Sequence, residues 1–92
     1  MTDWLTDDEL RELERLSAAN DPPPWRAWLE GRDHTAGDSF IQVGEGVERA
    51  DDLYVSRENG PPRPADLDLI AAARNALPRL LDEIRERRAG SP

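Results

Sequence analysis

The sequence predicts an α+β fold: an N-terminal helix, a three-stranded antiparallel meander and a long C-terminal helix, all within a single domain spanning residues 1–92. Two amphipathic segments, one at each end of the chain, repeat their apolar residues at three- and four-residue steps, while three short stretches between them alternate with period two. The first helix is expected over about residues 6–18. Thr6 and Glu9 have the spacing of a capping box, Leu5 and Leu10 that of a hydrophobic staple, and Leu10, Leu13 and Leu16 fall on one face. Asp7, Asp8 and Glu9 suit the positive end of the helix dipole. Pro22, Pro23 and Pro24 then forbid helix and call for an extended path. They read as a rigid spacer that delivers Trp25, or as a docking ligand for a proline-binding partner.

The three strands are expected over about residues 25–30, 39–43 and 53–56, with Gly31 to Asp38 and Gly44 to Asp52 as Gly- and Asp-rich hairpin connectors. Asn59-Gly60-Pro61-Pro62 reads as a turn. The second helix is expected over about 66–88, on Ile70, Ala73, Leu77, Leu80, Leu81 and Ile84, with Arg85, Arg87 and Arg88 at its negative end. Pro78 removes one hydrogen bond and crowds the preceding turn at roughly 3 kcal/mol, so a kink or a break is expected there.

Composition narrows the function. The chain has 20 acidic and 12 basic residues, a net charge of −8, and this argues against nonspecific binding to nucleic acid or to an anionic membrane surface. It has no cysteine, so disulfides and thiol chemistry are excluded. No apolar run approaches the roughly 18 residues of a membrane span and no leader pattern is visible, so a cytoplasmic protein is expected. Leu, Ile, Val and Phe together number 18 of 92, a thin core that invites help from a ligand, a partner or a second copy. A homo-oligomer is expected through Ile70, Leu77, Leu81 and Ile84, which offer more apolar surface than a short meander can cover.

The stretch from Trp25 to Ser39 is richest in chemically capable groups and holds the sole histidine. The candidate ligand-binding residues are Trp25, Arg26, Trp28, Glu30, Arg32, Asp33, His34 and Ser39. Arg26 and Arg32 offer forks for phosphate or carboxylate, His34 and Ser39 offer hydrogen bonds, and an indole offers a stacking platform. Pairing of these charges with one another in a solvated loop is the plain alternative. A metal-dependent hydrolase centred on His34 would draw on Glu30, Asp33 and Asp38, but no second histidine stands at ligand spacing. No nucleophile elbow is visible either, so no catalytic residue, metal or cofactor is assigned.

Pro24-Trp25, Glu30-Gly31-Arg32-Asp33-His34 and Phe40-Ile41, with Asp68, Ile70-Ala71, Ala73-Arg74-Asn75, Leu77-Pro78, Leu80-Leu81 and Glu83-Ile84, resemble a group of short uncharacterised proteins of bacterial and phage genomes. The C-terminal part is also similar to the tail of Ea22-like phage accessory proteins. The resemblance implies a genomic setting of mobile elements and phage-host conflict, with no established activity. The expected function is therefore a small non-enzymatic binding protein, a phage or mobile-element factor that sequesters a small anionic or nucleotide-like ligand or blocks a host defence protein. Two alternatives stand beside it. One is an acidic immunity-type protein that neutralises a basic toxin through Met1 to Asp21, where seven acidic residues face two basic ones. The other is the His34 hydrolase.

Overall fold

In the computed structural model, which describes residues 4–35 and 37–90, α1 spans Asp7–Ala19, β1 Trp25–Trp28, β2 Phe40–Val43 and α2 Pro64–Ala89. Residues 1–3 of the acidic N-terminal stretch, and Ala36 of the first connector, lie outside the described residues.

Local chemistry starts both helices. The Thr6 hydroxyl accepts the Glu9 N–H at 3.0 Å and the Glu9 carboxylate accepts the Thr6 N–H at 2.9 Å, the expected capping box. At α2, Pro64 occupies the first turn, where its missing N–H would have no helical partner, and Asp66 accepts the Arg63 N–H at 2.8 Å. The α2 helix runs through Pro78 as one element, so of the expected kink or break the break does not occur. Packing of its neighbours offsets the lost hydrogen bond: Leu81 is buried, and Leu77 is half-buried.

Among the described residues the sheet has two strands, not the expected three. β1 and β2 are antiparallel with Trp25 opposite Val43, Arg26 opposite Gln42, Ala27 opposite Ile41 and Trp28 opposite Phe40. β1 stops at Trp28 because the Asp33 carboxylate takes the Leu29 N–H, and the Leu29 carbonyl accepts the N–H groups of Arg32, Asp33 and His34 in a tight turn. β2 starts at Phe40 because the Ser39 hydroxyl accepts the Glu30 N–H in place of a ladder bond. The expected third strand at 53–56 makes a single bridge, Leu53 to Ile41, and then leaves. Arg57 and Gly60 pair with each other, and the Arg57 guanidinium makes two 2.7 Å bonds to Asp66, drawing the chain toward the start of α2. Gly44 is fixed by its turn, with φ +78° and room for no side chain: a Cβ there would stand 2.7 Å from the Glu48 carbonyl.

The inward phase of the hairpin, Ala27, Leu29, Ile41 and Val43, packs on Leu67 and Ala71 of α2, with Trp25, Ala50, Val55 and Ile70 around them. The α1 helix lies on the C-terminal half of α2 and buries Leu10. Thus Ile70 and Leu81, expected at an oligomer interface, face this core and α1, with Leu77 and Ile84 half-buried beside them. The large apolar groups exposed on α2 are instead Leu69 and Leu80. No helix among the described residues is long and apolar enough to cross a membrane.

One side chain joins the parts. Arg74 of α2, only 9% exposed, donates to the Ser17 hydroxyl and to the carbonyls of Ser17, Asn20 and Asp21, at 2.8–3.4 Å. It thereby supplies positive charge and donors to the C-terminus of α1, whose last turn holds no basic residue of its own. The next residue, Asn75, accepts the Trp25 N–H at 2.7 Å and donates to the Trp25 carbonyl at 2.8 Å.

Two stability measurements follow. Thr6→Ala is expected to lower the unfolding free energy by about 1 kcal/mol in denaturant titration, as loss of a helix cap does. Arg74→Met, which keeps the length but leaves several carbonyls without a donor, is expected to lower it by about 3 kcal/mol. An Arg74→Met loss no larger than that of Thr6→Ala would mean that α1 is held by other contacts.

Candidate functional site

Strand alternation splits the expected site residues between two faces. Trp25 points inward, packs on the core and donates its indole N–H to the Asp21 carbonyl. Arg26 and Trp28 point outward, on the same face as Phe40 and Gln42. The Arg26 guanidinium lies 3.9 Å over the Trp28 ring, and the Trp28 indole N–H donates to the Gln42 side chain at 3.1 Å. Gln42 is fixed in turn by donating to the Gly44 carbonyl at 3.0 Å.

The aromatic surface continues past the strands. The Phe40 ring lies 6.0 Å from His34 on one side and 5.6 Å from Tyr54 on the other, both within the 4.5–7 Å of favourable ring contacts. The segment that fails to form a third strand thus contributes its tyrosine to this face. Trp28, His34, Phe40 and Tyr54, with Gly37, Asp38, Gln42 and Arg49, line an open groove of about 410 Å³.

Arg32 is turned elsewhere. Its guanidinium holds Asp68 of α2 through two bonds of 2.9 and 3.1 Å and also bonds Asp33 at 3.0 Å, so it ties the loop to the helix instead of facing the groove. Hydrogen bonds to both carboxylates raise its pKa above the ordinary arginine value. Asp33 is held below the ordinary carboxylate range, first by Arg32 and then by the Leu29 N–H. Arg49, at the groove, bonds Asp52 at 2.8 Å. Asp38, by contrast, forms no ion pair among the described residues and lines the groove with the rings. Among the described residues no group of three or more His, Asp and Glu side chains comes together to hold a metal ion.

Of the expected residues, Arg26, Trp28 and His34 therefore gather on one face. Glu30 and Ser39 are joined at its rim through the Glu30 N–H and the Ser39 hydroxyl, whereas Trp25, Arg32 and Asp33 serve the framework. Phe40, Gln42, Arg49 and Tyr54 are groove residues outside the expected set, and Asp38, expected only as a donor in the metal alternative, joins them. The outward phase of the two strands was the available signal for Phe40 and Gln42.

The acidic N-terminal surface is largely paired. Glu14 makes bonds of 2.9 and 2.6 Å to Arg85, Asp7 bonds Arg88 at 2.8 Å, Glu12 holds Arg15, and Asp8 holds Arg11.

These pairs set an acid limit. Glu14 is lowered from 4.5 chiefly by Arg85, and Asp66 falls well below 3.8 chiefly through Arg57. A carboxyl whose pKa is lower in the folded state stabilises fully above its unfolded value and loses that contribution as pH falls through the folded one. The melting temperature is therefore expected to hold steady between about pH 7 and pH 5 and to fall below about pH 4, as those carboxylates protonate. A steady value down to about pH 2 would show that the pairs do not couple to folding.

No family model, curated protein or solved structure matches this chain.

Proposed function

We propose that the protein is a non-enzymatic binding protein that acts by occupying a basic protein partner, with the outward face of the hairpin as its contact surface. The observation that carries this reading is the groove lined by Trp28, His34, Phe40 and Tyr54, with the Asp38 carboxylate free of ion pairs among the described residues, on a chain of net charge −8. The faces of aromatic rings attract cations, and a nearby carboxylate adds charge complementarity. Of the guanidinium groups near this face, Arg32 is engaged by Asp33 and Asp68 and Arg49 by Asp52, while Arg26 is stacked on the Trp28 ring and forms no ion pair among the described residues.

Surface extent supports a partner as well. The protein exposes 7123 Å², against about 5,400 Å² for a compact monomer of this mass. Its radius of gyration is 16.2 Å, against about 12 Å for a compact chain of this length. In the mobile-element setting that the sequence pattern suggests, such a protein would block a host defence protein by covering its basic surface. A toxin-neutralising role would use the same chemistry, with the contact on the hairpin face instead of α1.

Titration by calorimetry and by amide NMR distinguishes the ligand classes. An arginine-rich peptide is expected to bind with an affinity that falls as salt rises, to shift the resonances of Trp28, Phe40 and Tyr54, and to lose at least tenfold in affinity with Trp28→Ala. Binding of nucleotides or ADP-ribose derivatives to those resonances, with none by the peptide, would overturn the reading in favour of an anionic ligand.

A further inference from the structure

The aromatic groove does not end at Tyr54. Asp38 and Tyr54 also border a second depression, of about 360 Å³, formed with Ser39, Val55, Ser56 and the Gly60 to Pro62 turn. Its chemistry differs from that of the first. Apart from the shared phenol ring, its apolar lining is aliphatic, from Val55, Pro61 and Pro62, with the Ser39 and Ser56 hydroxyls at its side. The depression exists because the chain leaves β2 after the single Leu53 bridge and returns through the Arg57 to Gly60 turn, leaving a gap beside the start of β2.

We infer that the two depressions form one cleft for a linear segment of a basic protein. An Arg or Lys side chain of that segment lies on the Phe40 and Tyr54 rings beside Asp38, and an aliphatic side chain two residues away fills the Val55, Pro61 and Pro62 depression. This inference rests on the binding reading above and adds a rule of specificity to it. Charge complementarity selects the occupant. The Asp38 carboxylate, free of ion pairs among the described residues, borders both depressions, so that a cation bound on the rings is also within its field. In an extended segment, side chains two residues apart point the same way about 7 Å apart, a spacing suited to adjoining depressions. Long basic side chains also lay their methylene stems on apolar surface while the charged head stays near water, which suits an open groove.

The test uses the full chain and short capped peptides containing one Arg, with Leu or Ala two residues beyond it. The Arg-Leu peptide is expected to bind roughly tenfold more tightly than the Arg-Ala peptide. It should also shift the amide resonances of Ser56 and Gly60, which the Arg-Ala peptide leaves in place. Ser56→Gln, an exposed change that fills the second depression, should abolish the tenfold difference while leaving Arg-Ala binding unchanged. Equal affinity of the two peptides, or a Leu-dependent gain without movement of Ser56 and Gly60, would overturn the two-part cleft while the basic-partner reading stands. Failure of both peptides to bind would overturn the basic-partner reading, and the cleft with it.

Discussion

The buried guanidinium of Arg74 is the constraint on which the remaining architecture depends. A helix end leaves carbonyls without partners, and the residues after α1 include three prolines that supply no N–H. Arg74 reaches across from α2 and supplies those donors at Ser17, Asn20 and Asp21. Because Asn75 grips Trp25, two consecutive residues fix where α1 ends and where β1 begins. The proline segment between them spans two anchored points. The outward face is positioned through this arrangement, since the register of β1 against α2 decides which phase of Trp25–Trp28 faces solvent.

The exclusive use of arginine as the basic residue becomes intelligible in the same terms. Arg32, Arg57 and Arg85 each hold a carboxylate with two nitrogens, a planar fork that a lysine ammonium cannot reproduce. These pairs link the first loop to α2, the second turn to the start of α2, and α1 to the end of α2. With a core of eight buried apolar residues among those described, such links orient elements that hydrophobic burial alone leaves loosely defined. The same engagement explains the electrostatic character of the groove. Its nearby cations are stacked or paired, and the carboxylate of Asp38 is what remains.

Both helices were legible in the sequence because their signals are local. The Thr6 and Glu9 pair of α1 and the apolar periodicity of both helices act within a turn or two of chain. Alternation and composition single out Trp28 and His34 in the sequence, and both line the groove. The number of strands was not legible, since Leu53, Tyr54 and Val55 have strand character, yet the chain makes one bridge and turns away to where Arg57 bonds Asp66. Passage of α2 through Pro78 likewise depends on tertiary packing. The engagement of Arg32 by Asp68 joins residues 36 positions apart, with no periodicity to announce it. What reads as an anion fork in sequence is thus a strut in the fold.

The grip of Asn75 on Trp25 has a further bearing, on solubility. A two-stranded hairpin has two open edges, and open edges invite strands from other molecules and seed fibrils. Here a side-chain amide from α2 takes both backbone groups of Trp25, a carboxylate takes the N–H of Leu29, and the opposite edge is met at Ile41 by the single Leu53 bridge. Each is an economical plug placed where a foreign strand would begin to zip. The sheet can stay small and present its aromatic rings to a partner while its ends resist becoming a template for its own aggregation.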